Sequence, residues 1–138
     1  MRTQVTFDVA DPHAQAAFWA AVLGMEVEDH STLVDKLVAD GLMPAEDRVT
    51  VDGRPAFREV AACRDPNGVE PRLYFQQVPE GKVAKNRVHL DIHVDPENKE
   101  AEVARATGLG AELIGTHSDR GPTTYVLLDP EENEFCLH

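Results

Sequence analysis

An internal repeat constrains the fold of this chain more than any single motif does. Asp-Pro pairs begin at positions 11, 65, 95 and 129, and each half of the sequence has one pair before a predicted helix and one before its last predicted strand. Asp is a favoured N-cap residue and Pro suits the first helical position, whereas the same pair also begins tight turns. Each half therefore has the pattern strand, helix and about three strands, which predicts two tandem βαβββ units.

The two halves differ in length. The helix pairs are 84 positions apart and the turn pairs are 64 apart, so the first half carries 20 extra residues. Residues 32–40 lie in this extra length and show the helical spacing of four between apolar residues. We expect one domain over residues 1–138, with unit one at about 1–80, an inserted helix near 32–40, and unit two at about 85–138.

Four local patterns predict element boundaries. Asp11-Pro12 begins a helix that runs to about Leu23, and Pro96 begins a second helix that runs to about Thr107. Thr32 and Asp35 have the spacing of a capping box. Asp52-Gly53 joins two hairpin strands, of which the second runs over 56–63.

The first predicted helix is apolar on both sides, and one sheet covers only one side. We expect the inserted helix, a second subunit, or both to cover the other side. A homodimer is the predicted state.

Candidate binding residues come from alternating segments. In residues 88–94 the apolar side chains alternate with His89, Asp91 and His93, which predicts a strand with one titratable face. Such a face either meets water or lines a site, and the choice depends on which other polar groups converge on it. The first strand of unit one has a similar polar face, and we expect both faces to line one cavity. The candidate groove residues are Gln4, Thr6, Asp8, Gln76, His89, Asp91, His93, Glu134 and Cys136.

Composition excludes several classes of partner. The chain has 13 Lys and Arg against 25 Asp and Glu, a net charge of −12, which argues against nucleic acid and anionic membrane surfaces. It contains no apolar run of the length that spans a bilayer. Its 2 cysteines, without a secretory segment, predict free thiols in a reducing compartment, hence a cytoplasmic protein. The expected partner is a small molecule.

Three groups of residues resemble a known superfamily. They are Val9-Ala10-Asp11-Pro12 with Phe18-Trp19 and Leu23-Gly24, then Asn86 through Asp91, then Asp129-Pro130 with Asn133-Glu134-Phe135. In these the chain is similar to the vicinal oxygen chelate superfamily, which includes glyoxalase I, extradiol dioxygenases and bleomycin-resistance proteins, and most of all to its glyoxalase-like domains. The resemblance implies an α+β fold in which two βαβββ units pair into a curved mixed sheet with a concave ligand groove.

The resemblance also implies where a metal would bind. Metal-dependent members have His or Gln on the first strand of each unit and a carboxylate on the last. These positions fall on Gln4 and His89, and on Cys136 where glutamate is usual. The last-strand position of unit one falls on Tyr74 or Gln76. The set is therefore only partly present, and His89 is the candidate metal ligand.

Strand geometry limits which side chains can share an ion. His89 and His93 lie roughly 13 Å apart on a regular strand, whereas His89 and Asp91 lie roughly 6.6 Å apart and require favourable side-chain reach. Glu134 shares a face with Cys136 and is a candidate for the missing carboxylate. Such mixed donors suit Zn²⁺ better than Mg²⁺, and Zn, Ni, Fe and Mn are the candidate ions, none of them established.

Two functions remain open. One is a small-molecule-binding protein with no established metal, and the other is a divalent-metal-dependent lyase, isomerase or dioxygenase with His89 as a ligand. The first is favoured because the acidic ligand position is lost at Cys136. No catalytic residue can be named, and whether the protein is an enzyme stays open.

Overall fold

The fold is α+β, as predicted. A computed structural model describes residues 2–119 and 121–138, and in this part of the chain three α-helices accompany ten strands. The chain divides into two compact units, Met1–Glu80 and Gly81–His138.

The first unit contains a four-stranded sheet, three helical segments and a separate hairpin. Its elements are β1 (Gln4–Val9), α1 (Pro12–Leu23), β2 (Glu26–Val27), α2 (Ser31–Ala39), a 3₁₀ turn (Ala45–Asp47), β3 (Arg48–Val51), β4 (Arg54–Phe57), β5 (Val60–Arg64) and β6 (Arg72–Gln77). The sheet order is β1-β6-β5-β2, in which β1 is parallel to β6 and the other pairs are antiparallel. The hairpin β3-β4 pairs only with itself among the described strands.

The second unit contains one sheet and one helix. Its elements are β7 (Leu90–Ile92), α3 (Lys99–Gly108), β8 (Glu112–His117), β9 (Thr124–Leu128) and β10 (Glu134–Leu137). The sheet order is β7-β10-β9-β8, with β7 parallel to β10 and the remaining pairs antiparallel. In both units the first strand lies beside the last, so the sheets confirm the βαβββ repeat.

The Asp-Pro turns before the last strands are built alike. The carboxylate of Asp65 accepts hydrogen bonds from the backbone N–H groups of residues 67, 69 and 70. The carboxylate of Asp129 accepts them from residues 131 and 133. In each unit an acceptor side chain thus satisfies the turn that leads into the last strand.

The first helix begins and ends as predicted. Asp11 is the N-cap, and its carboxylate accepts hydrogen bonds from the backbone N–H groups of His13 and Ala14. Gly24 ends the helix in the left-handed conformation at φ 66°, which costs glycine little.

The boundaries predicted for the second unit are wrong in two places. The strand expected over 88–94 is confined to Leu90–Ile92, so His89 and His93 flank it, and Val88 is 78 % exposed. The helix begins at Lys99 rather than at Pro96. The cause is a turn in which the carbonyl of Asp95 accepts the N–H of Asn98, which delays the first α-helical residue.

Two predictions for the first unit also need correction. The strand expected over 56–63 is two strands, because the chain leaves the hairpin after Phe57 and enters the main sheet at Val60. The capping box is not formed: the N–H of Ser31 is accepted by Asp29 instead. A helix lies at Ser31–Ala39, within the extra length of the first half.

The core of the first unit lies between α1 and the sheet. Phe7 stacks on Phe75 with ring centroids 5.2 Å apart and also contacts Trp19 at 5.6 Å. The outward side of α1 carries only small exposed residues, Ala14, Ala17 and Ala21. Because alanines need little cover, this face does not demand a partner, and the homodimer stays a prediction.

The core of the second unit is smaller. Leu127, Phe135 and Leu137 of the sheet are buried, as are Val103 and Ala106 of α3. Among the described residues, no helix combines the length and the apolar run that a membrane crossing needs.

Candidate functional site

The polar face predicted for the first unit is present, and it includes side chains of β6 as well as those of β1. Alternation leaves Val9 buried, whereas Gln4, Thr6 and Asp8 are exposed on the opposite face. The register sets three pairs side by side on this face: Gln4 with Arg72, Thr6 with Tyr74, and Asp8 with Gln76.

Arg72 is the centre of this face. Its Nε and Nη2 atoms each lie 2.7 Å from an oxygen of Glu28, a two-pronged ion pair. Its Nη1 donates to Gln4 Oε1 at 2.6 Å, and its guanidinium lies 5.2 Å from the Tyr74 ring centroid. The Nε2 atom of His30 donates to the same Glu28 carboxylate at 2.9 Å.

This network satisfies the first unit's polar groups internally. The hydrogen bonds from Arg72 hold the pKa of Glu28 below its usual value, although burial opposes this. The oxygen of Gln4 that could bind a cation already accepts a hydrogen bond from Arg72. Gln76 donates to Asp8 at 2.7 Å, so these two predicted groove residues also bond to each other.

In the second unit the polar side chains converge differently. Nδ1 of His89 donates to Asp91 Oδ1 at 2.8 Å, and Asp91 lies beside Cys136 in the parallel register. One ligand atom from each of these three residues lies within 4.8 Å of the others. Asp91 is therefore hydrogen-bonded to His89 and lies beside Cys136, which brings together predicted site residues from separate segments of the chain.

The electrostatics of this cluster favour a proton on sulfur. Burial and then the neighbouring Asp91 carboxylate raise the pKa of the Cys136 thiol, against the weaker effect of Lys85. His89 and Asp91 are exposed, so the cluster is accessible from solvent.

The carboxylate of Glu134 is held by other groups and is not exposed as His89 and Asp91 are. Its carboxylate accepts the N–H of Asn86 at 3.0 Å and pairs with Lys82 Nζ at 3.1 Å, and its side chain is 14 % exposed. Burial opposes its ionisation, but the Asn86 N–H and Lys82 lower the pKa of Glu134 to about 2. It acts as the acceptor that fixes the preceding loop, which leaves it poorly suited to replace the missing carboxylate.

His93 lies at the end of the same face, beside a residue that the sequence analysis did not select. Its ring stacks on that of His138 with centroids 5.1 Å apart. Nδ1 of His138 bonds to Thr124 Oγ1 at 3.1 Å, and Nε2 lies 3.5 Å from Asp91 Oδ2. Continuing the alternation from Cys136 would have placed His138 on this face.

Arg72, Glu28 and His30 were also missed. Their roles depend on Arg72 lying beside Gln4 and on Glu28 reaching it from outside β2. No local pattern contains that information, because the partners are separated by 44 and 68 positions. The meeting of the two polar faces in one groove stays a prediction.

Comparison with known proteins identifies the family. A sequence model of the family described as glyoxalase-like domain matches residues 4–138. Among curated proteins, none matches the chain significantly.

Solved structures with the same fold cover nearly the whole chain. A glyoxalase/bleomycin resistance protein/dioxygenase family enzyme from Burkholderia phytofirmans is 18 % identical, with a TM-score of 0.64 over 97 % of this chain and 94 % of its own. The fosfomycin resistance protein FosX from Listeria monocytogenes is 13 % identical, with a TM-score of 0.63 over 100 % and 88 %. A possible glyoxalase from Bacillus cereus is 14 % identical, with a TM-score of 0.62 over 99 % and 96 %. The chain shares its fold with these structures, and it belongs to the glyoxalase-like domain family.

Proposed function

We propose that this protein binds a small organic molecule on the polar face of the second unit's sheet, beside a divalent cation held by His89, Asp91 and Cys136. The observation that carries the proposal is the convergence of these three ligand atoms within 4.8 Å of one another. The described residues of the first unit supply no comparable set, and on its polar face Glu28 and Gln4 bond to Arg72 while Gln76 bonds to Asp8.

The donor set decides which cation fits. An imidazole nitrogen, a carboxylate oxygen and a thiolate sulfur together match Zn²⁺, whereas Mn²⁺ favours oxygen donors. Nickel and iron remain candidates on the same grounds. Since the hydrogen bond to Asp91 uses Nδ1 of His89, its Nε2 atom is free to bind an ion, or Nδ1 exchanges that bond for one.

Three protein ligands leave a coordination position for an oxygen of the bound molecule. When bound, the cation would polarise that oxygen, which is the chemistry such a site supplies. The chain's own residues hold the acceptor groups in place: Asp91 orients the His89 ring, and strand β10 fixes Cys136 beside Asp91. Both His89 and Asp91 are exposed, so a small molecule can approach them.

The relatives support a cation together with a small organic ligand. FosX from Listeria monocytogenes was solved with Mn(II) and 1S,2S-dihydroxypropylphosphonic acid. A metal-dependent lyase, isomerase or dioxygenase is the second candidate function, favoured by the coordination position that three ligands leave open. Binding stands first because Cys136 occupies the position where the resemblance implies glutamate. A cytoplasmic location stays a prediction.

The test is calorimetric titration of chelator-treated protein with Zn²⁺. The unaltered protein is expected to bind one ion, and His89→Ala and Cys136→Ala are each expected to weaken binding by about tenfold or more, as loss of one ligand does. His13→Ala and Cys63→Ala are the matched controls, because they remove the same donor types from the first unit and should leave the affinity unchanged.

A donor exchange separates the site from non-specific binding. Cys136→Glu replaces sulfur by oxygen, so preference should move from Zn²⁺ toward Mn²⁺. If His89→Ala and His13→Ala weaken zinc binding equally, the cluster is not the metal site. The proposal of a metal-free ligand face would then remain.

A further inference from the structure

A cavity in the second unit is lined by residues other than His89, Asp91 and Cys136, although one of these lining residues, His138, lies 3.5 Å from Asp91. Its volume is about 540 Å³, within the range of small-molecule sites. It lies where β7 and β8 end and where α3 and β9 begin. Its polar lining residues are His93, Lys99, His117, Asp119, Thr124 and His138.

Lys99 gives this cavity a buried positive charge. The residue is 9 % exposed, and its Nζ donates to the backbone carbonyl of Thr123 at 3.1 Å. An ammonium has three donors, and within residues 2–119 and 121–138 no carboxylate pairs with it. A buried charge without a counter-ion is costly, so the chain would gain stability from an anion there.

His138 adds a second unsatisfied group on the same cavity wall. Its Nε2 atom is buried and has no hydrogen-bond partner among the described residues, although Asp91 Oδ2 lies 3.5 Å away without bonding geometry. Buried polar atoms are rarely left unpaired in native proteins. Its bond to Thr124 and its stacking on His93 hold the ring in place for a ligand.

We propose that this cavity binds the oxyanion of a small molecule, a carboxylate or a phosphoryl group. Lys99 supplies the charge, and His138 and His117 supply hydrogen bonds. Among the described lining residues the acidic one is Asp119, which is exposed. The Asp91 carboxylate lies 3.5 Å from His138 Nε2 without lining the cavity, so Lys99 is the group that makes the buried part of the cavity attractive to an anion. The chain's overall charge of −12 acts over distances at which salt screens it, whereas these contacts are short. The site needs no metal, so it goes beyond the function proposed above.

The experiment titrates chelator-treated protein with inorganic phosphate and, separately, with acetate, at constant ionic strength held with chloride. Calorimetry measures affinity, and thermal unfolding measures stabilisation by each anion. Saturable binding of phosphate or acetate is expected, and the tighter of the two identifies the group. Lys99→Met keeps the buried stem but removes the charge, so affinity should fall by about tenfold or more. Lys85→Met, which removes an exposed charge in the same unit, should change it by less than twofold.

A second variant keeps the test decisive if Lys99→Met does not fold. His117→Gln alters an exposed lining residue and should weaken binding by about threefold to tenfold without unfolding the protein. The proposal is overturned if neither anion binds saturably. It is also overturned if Lys99→Met and Lys85→Met weaken binding equally, since the effect would then be one of overall charge.

Discussion

In the first unit Arg72 donates to Glu28 and Gln4, whereas in the second unit His89, Asp91 and Cys136 lie together and, within the described residues, no Lys or Arg side chain donates a hydrogen bond to them. The strand order is the same in both sheets. The difference is therefore one of side chains on a repeated frame: one polar face contains an Arg–Glu ion pair, and the other contains the imidazole, carboxylate and thiol to which we assign ligand binding in our proposal.

The largest expected effect comes from removing the guanidinium that pairs with Glu28 on the polar face of the first unit. Arg72→Met retains the aliphatic stem but leaves Glu28, whose side chain is 16 % exposed, without its cation. Because a mostly buried carboxylate then loses its guanidinium partner, the free energy of unfolding should fall by about 2 to 3 kcal/mol. Urea unfolding at neutral pH measures it.

His89→Ala is the matched change on the open face. His89 is exposed, and among the described residues its side chain bonds to Asp91, which is also exposed, so the loss should stay below about 0.5 kcal/mol. Equal losses in both variants would show that the two faces are not different in kind.

A smaller expected effect concerns the pH dependence of stability in the second unit. Glu134 has a folded pKa of about 2 against an ordinary 4.5, so its ionised form stabilises the fold above 4.5 and this stabilisation is lost as pH falls from 4.5 toward 2. Glu134→Gln should cost about 1 to 2 kcal/mol at pH 7 and flatten the acid side of the stability profile. Denaturant unfolding at several pH values measures this.

Glu97→Gln removes an exposed carboxylate from the same unit and should leave the acid profile unchanged. A variant at Glu134 that loses stability equally at pH 3 and pH 7 would mean that its charge contributes nothing.

The smallest expected effect is on the free energy of unfolding, which one turn substitution should raise in the second unit and another should lower in the first. The turns before the last strands each contain a left-handed residue, Gly68 at φ 68° in the first unit and Glu132 at φ 65° in the second. Glu132→Gly should therefore stabilise the protein by about 0.5 to 1 kcal/mol.

Gly68→Ala is the reciprocal change and should destabilise by about 1 kcal/mol through backbone strain alone, because an added Cβ meets nothing within 4 Å. Chemical denaturation of both variants gives the two values. The same sign in both would show that the turns are not equivalent.

The sequence alone predicted the repeat because its signals are local. Asp11-Pro12 satisfies the first N–H groups of α1, and that requires only adjacent residues. The identical pair at Asp95-Pro96 forms a turn before α3, so an Asp-Pro pair does not by itself determine the residue at which a helix begins.

The candidate site was harder to predict. His89, Asp91 and Cys136 were selected by alternation, but their closeness depends on the parallel register of β7 with β10. Lys99 and the unsatisfied nitrogen of His138 depend on burial, which composition and periodicity do not give.

The parallel pairing of first and last strands has a kinetic consequence. Gln4 lies beside Arg72, 68 positions later, and Leu90 lies beside Phe135. Each sheet can therefore close only after its helix and intervening strands have been brought into place, which makes the contacts highly non-local. Proteins dominated by such contacts fold slowly for their size, because the chain loses the entropy of loop closure before the pairing compensates for it. Refolding of each unit should accordingly be limited by the docking of β1 onto β6 and of β7 onto β10, long after the helices have formed.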